Sequence, residues 1–450
     1  MKRYDSYKDS GVEWIGDVPS HWEIVRMKYT CDFNGRIGFR GYSQADLVSE
    51  GEGAITLSPT NMNDIFVDYN KCSYLSWEKY YESPEIMVKQ GDVLLVKTAS
   101  VGKCSYVKTI PMECTVNPQI LVLKKHRQNP MFLTYLFQIP IGQTYIDLYK
   151  AGSTIYTLSE DKIGNFRFVF PNKKEQDIIV SYLDSKCGEV DKVISTQEKR
   201  IALLQELKQS IITHAVTKGL NPNVKMKDSG IEWIGEVPEH WVIMRVKDLL
   251  RLLTDYDANG SFADIAKNCN INNGNPYAWM VRATDLENNR IGIVDGNNYC
   301  DKKTYEYLSK SSLSENDILL AKRGDIGKSY LVPFCNDPMT LAPNTYLLLT
   351  DKKKVNNKCL FYYFQSYVGA EILRLLNKST TLGALYKDDV KSINVPIAPL
   401  LEQQEIASYL DKRCAQIDAS ISKAKKEIEL LQEYKQSLIT EVVTGKRKVC

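Results

Sequence analysis

Two segments carry residues whose types and spacing invite a chemical reading. RGDIGKS (323–329) ends like a phosphate-binding loop. Such a loop opens its G-x-x-x-x-G-K pattern with a glycine, so that backbone amides wrap a phosphate. That place holds Lys322, and the matching place before Gly102 and Lys103 holds Lys97. The pattern therefore favours a turn after a strand over a nucleotide site. The turn projects Lys97, Ser100 and Lys103 in one half of the chain, and Lys322, Arg323 and Lys328 in the other. Side chains on such turns either contact phosphates and guanine edges or stand as solvated hairpin tips. GNPYAWM (274–280) shares an Asn-Pro pair and an aromatic with the Asn-Pro-Pro-aromatic motif of adenine methyl transfer, but it lacks the second proline. No glycine-rich cofactor loop precedes it, and the first half has no echo of it. No His/Cys/Asp/Glu constellation suggests a metal or a nucleophile, so no catalytic residue, metal or cofactor is expected in this chain. The eleven cysteines are scattered without a Cys-x-x-Cys pair, which points to reduced thiols in a cytoplasmic protein rather than to disulfides or zinc.

A second group of residues has the chemistry of base recognition. The stretches 34–90 and 255–315 are rich in side chains that hydrogen-bond base edges. They hold Arg36, Arg40, Gln44, Asn61 and Asn63 in the first, and Asn259, Asn275, Arg282 and Asp285 in the second. Arginine pairs with guanine, and asparagine or glutamine with adenine. Any one of them is equally an ordinary loop side chain. GST (152–154) and STT (379–381) recur at equivalent places and suit either phosphate contacts or turns and caps.

The elements that hold these residues come twice. DSGVEWIGDVPSHW (9–22) returns as DSGIEWIGEVPEHW (228–241), with eleven of fourteen positions identical. GDVLLVKTASVGK (91–103) returns as NDILLAKRGDIGK (316–328), and EQDIIVSYLDSKCGEVDKVIS (175–195) as EQQEIASYLDKRCAQIDASIS (402–422). LLQELKQSIIT (203–213) returns as LLQEYKQSLIT (430–440). The repeat is a whole domain plus its tail, far longer than a solenoid unit. The stretches 34–90 and 255–315 align poorly while this framework aligns well, which is where two different half-sites would be read. In the repeated phrase Trp14, Trp22, Trp233 and Trp241 are expected in the core, and His21 and His240 as structural histidines.

Each copy opens with an α+β domain, residues 1–172 and 228–398. Short β-branched runs such as DVLLVK and NFRFVF alternate with helical stretches such as PMFLTYLFQ and LFYYFQSYVGAEILRLL. Each closes with a long helix, 173–218 and 399–445; 219–227 is a linker and 446–450 a tail. A heptad seam runs through Val190, Ile194, Gln197, Ile201, Leu204, Lys208, Ile211 and Ala215. The second copy gives Ile417, Ile421, Ala424, Ile428, Leu431, Lys435, Leu438 and Val442. An apolar seam must be buried, and the natural partner is the other copy. Equal halves predict a pseudo-twofold antiparallel pair, with a recognition domain at each end of a rod on the order of 65 Å. Lys208 and Lys435 interrupt the seam and either snorkel or mark register.

Composition sets few limits: 43% hydrophobic, 25% charged, and a formal net charge of +3 from 58 basic and 55 acidic residues. Nucleic-acid binding would need the positive charge gathered on one face. No run approaches the ~20 apolar residues of a membrane span.

The DSG[VI]EWIG[DE]VPxHW phrase, the GD[VI]LL…GK segment and the EQxxIxxYLD…LLQExKQSxIT helix together resemble the DNA-specificity subunits of type I restriction–modification enzymes. The resemblance covers almost the whole chain, in both copies. It implies two α+β target-recognition domains in tandem, separated by two long helices that pair as an antiparallel coiled coil. It implies a non-catalytic subunit in which each domain reads one half of a split DNA sequence. The helices would fix the unread spacer and bind two methyltransferase subunits, which use S-adenosylmethionine, and nuclease-translocase subunits would join. Two rival functions are a stand-alone modification or restriction enzyme, and a coiled-coil scaffold without a DNA role. Incubation of the purified chain with DNA and labelled methyl donor separates the first; salt-sensitive DNA binding by the assembled complex separates the second.

Overall fold

The computed structural model describes residues 3–13, 15–152, 156–324, 326–377 and 383–449. Trp14, Ser153 and Thr154 of the first copy and the STT segment at 379–381 lie outside the described residues. The chain forms two compact units: Met1–Gln197 with Lys426–Cys450, and Glu198–Lys425. Neither is a contiguous copy of the repeat, because each takes the last part of the other copy's long helix.

In the first unit the strands Asp32–Asn34, Ile120–Lys124, Val93–Val96 and Cys104–Tyr106 form an antiparallel sheet in that order. Both faces are covered, so the central strands are continuously apolar. Alternation still decides which core each residue joins. Val93, Leu95, Leu121 and Leu123 pack under the helices Pro130–Gln138 and Pro140–Tyr149. Leu94, Val96, Ile120 and Val122 pack toward a second sheet, with Ile55, Leu57 and Val116.

The second unit repeats this. Leu250–Asp255, Thr345–Thr350, Ile318–Ala321 and Ser329–Leu331 make its antiparallel sheet. Ile318, Leu320, Tyr346 and Leu348 face the helices, while Leu319 and Leu347 face Trp279, Val281 and Leu341. The remaining sheet is where the copies part. Each has a parallel pair, Gly53–Leu57 with Cys114–Val116 and Ala278–Val281 with Met339–Leu341, plus one antiparallel neighbour. In the first unit the fourth strand, Leu47–Val48, extends the sheet beyond Ser73–Ser76. In the second, Ser312–Leu313 adds beside Met339–Leu341, at the other edge. This difference falls inside the stretches 34–90 and 255–315 that align poorly.

The glycine of each GK turn is required by geometry. Gly102 has φ +96°, and a Cβ there would meet the Ile146 side chain at 2.4 Å; Gly327 has φ +100° and lies 3.2 Å from the Ala370 carbonyl oxygen by the same measure. These are hairpin turns closing strands on strands, which explains why the phosphate-loop pattern is incomplete.

The long helices run Lys173–Lys218 and Leu400–Val443. The strand Met226–Asp228, which pairs with Glu236–Pro238, follows the first long helix after a short connection. The stretch LFYYFQSYVGAEILRLL is two helices, Asn357–Gln365 and Tyr367–Leu375, because the Ser366 hydroxyl accepts from the Gly369 amide and caps a new start. Among the described residues no helix is long and apolar enough to cross a membrane.

Candidate nucleic-acid interface

A recognition surface is only as precise as the frame beneath it, and the repeated phrase builds that frame. Trp22 is fully buried and donates its indole N–H to Glu175 at 3.2 Å; Tyr4 donates to the same oxygen at 2.8 Å. His21 bonds the other oxygen at 2.9 Å. In the second unit Trp241 and His240 meet Glu402 at 3.1 and 2.8 Å. The phrase thus grips the first turn of the long helix. The next residue completes the joint. Gln176, fully buried, accepts from the Asn129 amide at 2.8 Å and donates to the Pro171 carbonyl at 2.8 Å. Gln403 does the same with Asn356 and Ala398 at 2.7 and 2.8 Å. Asn129 and Asn356 cap the helices that follow them. The histidines are structural here, as expected. Trp233 is not: it is 60% exposed. Its turn closes through amides of Ile234 and Gly235 on the Ile231 carbonyl, which points Ile231 and Ile234 inward and leaves Trp233 on the outer side.

The seam holds within each unit. Between positions 195 and 208, only Gln197, Ile201, Leu204 and Lys208 are not exposed. Val190, Ala215, Ile417, Ala424, Leu438 and Val442 are buried, and Ile194, Ile211, Ile421, Ile428 and Leu431 are half-buried. In the first unit Lys435 bonds Asp191 at 2.7 Å and Gln197 bonds Glu427 at 3.2 Å, an antiparallel pairing. In the second, Lys208 bonds Asp418 at 2.7 Å. The seam lysines therefore form matched ion pairs that suit one register. The aspartates are half-exposed, so each pair contributes under about 1 kcal/mol.

The base-reading candidates divide sharply. Arg36 is 8% exposed, and its guanidinium donates to Ser83, Thr115 and the Val116 carbonyl at 3.3–3.4 Å. Burial pushes its pKa down. Asn61 is buried and ties a loop, accepting from the Ser58 amide at 2.9 Å and donating to the Asp68 and Lys71 carbonyls at 3.0 and 3.1 Å. Asp285 is fully buried beneath Arg282, 2.7 Å from its Nη2. Asn259 donates to the Tyr256 carbonyl and Ser311 at 2.9 and 2.8 Å. These side chains are spent inside the domains. Arg40 meets Glu85 at 3.4 Å.

The turn lysines are also engaged. Lys97 pairs with Glu160 at 3.0 Å, and Lys103 with Asn63 at 2.7 Å. Lys322 pairs with Asp255 at 2.8 Å and Asp257 at 2.6 Å, and Lys328 with Glu287 at 2.8 Å. Gln44, Ser100, Asn275 and Arg323 are exposed, with no side-chain hydrogen bond among the described residues.

In the second unit these elements frame an open cleft of about 340 Å³, lined by Arg282, Thr284, Glu287, Arg323, Tyr330 and Asn344 among others. Tyr330 donates to Glu287 at 2.7 Å beside Lys328. Sequence reasoning missed Glu287, Tyr330 and Asn344. The last two belong to framework that aligns between the copies, so a search confined to the divergent stretches passes over them. The cleft mixes donors and acceptors, as base edges require. Among the described residues no group of His, Cys, Asp and Glu could hold a metal. Burial pushes the Cys31 thiol up to about 11 and Cys114 to about 12, away from thiolate chemistry.

A duplicated frame thus carries two domains whose second sheets are completed at different edges. The chain belongs to the family described as type I restriction modification DNA specificity domain, whose model matches residues 48–206 and 238–430. It carries that domain twice and is a DNA-specificity subunit, a non-catalytic component. It is similar to the putative type I restriction enzyme MjaX specificity subunit of Methanocaldococcus jannaschii, 24% identical over 97% of this chain and 96% of the relative. It is also similar to the MjaVIII specificity subunit of that organism, 24% identical over 96% and 94%. In fold it matches a chain from a type I R-M system studied for complex assembly and conformational transition, with TM-score 0.69, 15% identity and 95% and 98% coverage. The HsdS subunit from Thermoanaerobacter tengcongensis matches at TM-score 0.50, with 14% identity and 96% and 98% coverage.

Proposed function

We propose that each unit's α+β domain reads one half of a bipartite double-stranded DNA site, and that the two long helices set the unread spacer. The helices also dock two methyltransferase subunits, which bring S-adenosylmethionine; nuclease-translocase subunits complete the assembly in the cytoplasm. One observation carries this reading: a shared frame holds two sheets that add their fourth strand at opposite edges, so the copies present different surfaces from the same joint. The buried Arg36, Asn61 and Asp285, with the half-buried Asn259, then build the readers, while Gln44 and Ser100, and Asn275 and Arg323, are left to touch DNA. The exposed apolar residues Val193, Leu203 and Leu207 off the seam offer surface for the protein partners.

Adenine-methylation mapping of the source genome tests it. With the gene intact, one motif of two short blocks around a fixed gap is expected, and deletion removes it. Arg323→Ala alters the second block alone. Change in both blocks would refute independent reading, and an unchanged methylome after deletion would refute the function.

A further inference from the structure

We infer that the first unit carries a phosphate-binding pocket that the second copy lacks. The strands Glu23–Arg26 and Arg167–Phe170 pair antiparallel, with Arg26 directly opposite Arg167. Opposed residues on a ladder project from the same face, and like charges placed so repel. Both arginines are exposed at this position, and neither has an ion-pair or hydrogen-bond partner for its side chain among the described residues. They line a cavity of about 400 Å³ together with Asn165, Tyr145, Tyr149 and Glu13. Glu13 is the opposing charge on that wall, outnumbered by the two guanidinium groups, and it makes no salt bridge to either among the described residues.

The wall is braced by its own contacts. The Tyr145 hydroxyl donates to the Arg167 carbonyl at 2.8 Å and accepts from its amide at 3.1 Å, and its ring stacks on Phe166 at 4.7 Å. Lys162, the nearby ammonium, is turned onto the Tyr149 carbonyl at 3.1 Å.

The duplicated copy shows that the frame does not need this arrangement. There Arg245 stands opposite Asn394 and is paired with Asp248 at 3.4 Å. At the repeat offset of the helices, Ile372 and Leu376 replace Tyr145 and Tyr149. One copy has thus dispersed the charge and made the wall aliphatic, while the other keeps a repelling arginine pair over an open cavity. Two adjacent guanidinium groups are relieved by a phosphate, which each can grip with two donors, and the exposed ring of Tyr149, backed by the buried Tyr145, suits a sugar or base attached to it. Two sources supply that chemistry: a backbone phosphate of DNA, and a free phosphorylated molecule.

The test titrates the full-length chain with inorganic phosphate, at ionic strength held constant with chloride, and reads heat or ³¹P line width. Saturable binding is expected. Arg167→Asn, the residue of the second copy, weakens it by roughly tenfold or more, as does Arg26→Gln on the other strand. Lys8→Asn, the same charge loss on an exposed hairpin, leaves it unchanged. No saturable phosphate binding by the wild type overturns the proposal. So does equal loss in Lys8→Asn. The source is read from DNA binding by the assembled complex. A slope of log K against log salt that falls by about one unit in Arg167→Asn assigns the phosphate to DNA. An unchanged slope with phosphate binding lost assigns it to a free phosphorylated molecule.

Discussion

The joint between the repeated phrase and the long helix makes a quantitative prediction, because the two copies build it with unequal strength. In the first unit Glu175 has a side chain 9% exposed; in the second, Glu402 is 25% exposed. Glu175→Ala strands the fully buried indole N–H of Trp22 and removes the 2.8 Å bond from Tyr4. A stranded buried donor costs about 1–3 kcal/mol, and a hydrogen bond to a charged group contributes about 1.5–3. The half-exposed His21 adds little. Allowing for relaxation, the first joint weakens by about 2–4 kcal/mol. Glu402→Ala strands the Trp241 donor in a wetter place and costs about 1–2 kcal/mol. Native-state hydrogen exchange reads the difference. Peptides spanning Trp22 and the start of the first long helix should open roughly 30- to 700-fold more often in Glu175→Ala, against roughly 5- to 30-fold for the matching peptides in Glu402→Ala. Acid adds a sign check. Burial opposes ionisation of Glu175, but hydrogen bonds from His21, Tyr4 and Trp22 outweigh it and hold its carboxyl below the ordinary value. A depressed carboxylate stabilises fully above the unfolded pKa near ~4.3 and ceases to as pH falls through the folded value. The gap between wild type and Glu175→Ala should therefore narrow below about pH 4. Equal effects in the two joints, or a larger one at Glu402, would refute the reasoning.

Three further outcomes are expected. Asp255 is opposed by burial but held below its ordinary pKa by Lys322 and Lys387, so Asp255→Asn should cost the second unit about 2–3 kcal/mol at neutral pH. That loss should fade as pH falls through the folded value, which urea titrations at pH 7 and pH 3 will show. Asp191→Lys sets two lysines together at the seam and should cost about 0.5–1 kcal/mol, recovered in the double exchange with Lys435→Asp; thermal melts measure it. One heptad added to both helices lengthens each by about 10 Å, and should widen the gap between the methylated blocks by about three base pairs at ~3.4 Å each.

Much of the frame was legible because its signals are local and periodic. Ile201 and Leu204 sit four and seven residues after Gln197, and burial follows that spacing across the middle of the helix. The phrase around Trp22 repeats because its glutamate partner repeats. What escaped depends on contacts distant in sequence. Arg36 reads as a base contact by type, yet Thr115 and Val116, about eighty positions on, desolvate it. Trp233 has the same type as Trp241 and stands in the same phrase, but a tight turn sends it outward while Ile234 goes in. The edge on which a short strand such as Ser312–Leu313 adds is set by a three-dimensional choice between two sheet edges, and no periodicity in two to four residues records it.

The duplication also limits where such a chain can change. Gln436, late in the second helix, donates to the Gln138 carbonyl in the first unit at 3.0 Å. Gln209, late in the first helix, donates to the Gln365 carbonyl in the second at 2.8 Å. Each domain is therefore fastened by its own helix near the start, through Glu175 or Glu402, and by the other copy's helix near its end. Leu438, Ile439 and Val442 join the first core, as Ile212, Ala215 and Val216 join the second. A substitution in one copy's helix is felt by the domain of the other, so the helices and the phrases that grip them are held to matching chemistry. The stretches 34–90 and 255–315 escape that coupling, since their side chains bond within their own domain or face outward. Divergence collects there because reciprocity is absent, and a protein that must read two unlike sequences from one repeated frame has its freedom in the place where recognition requires it.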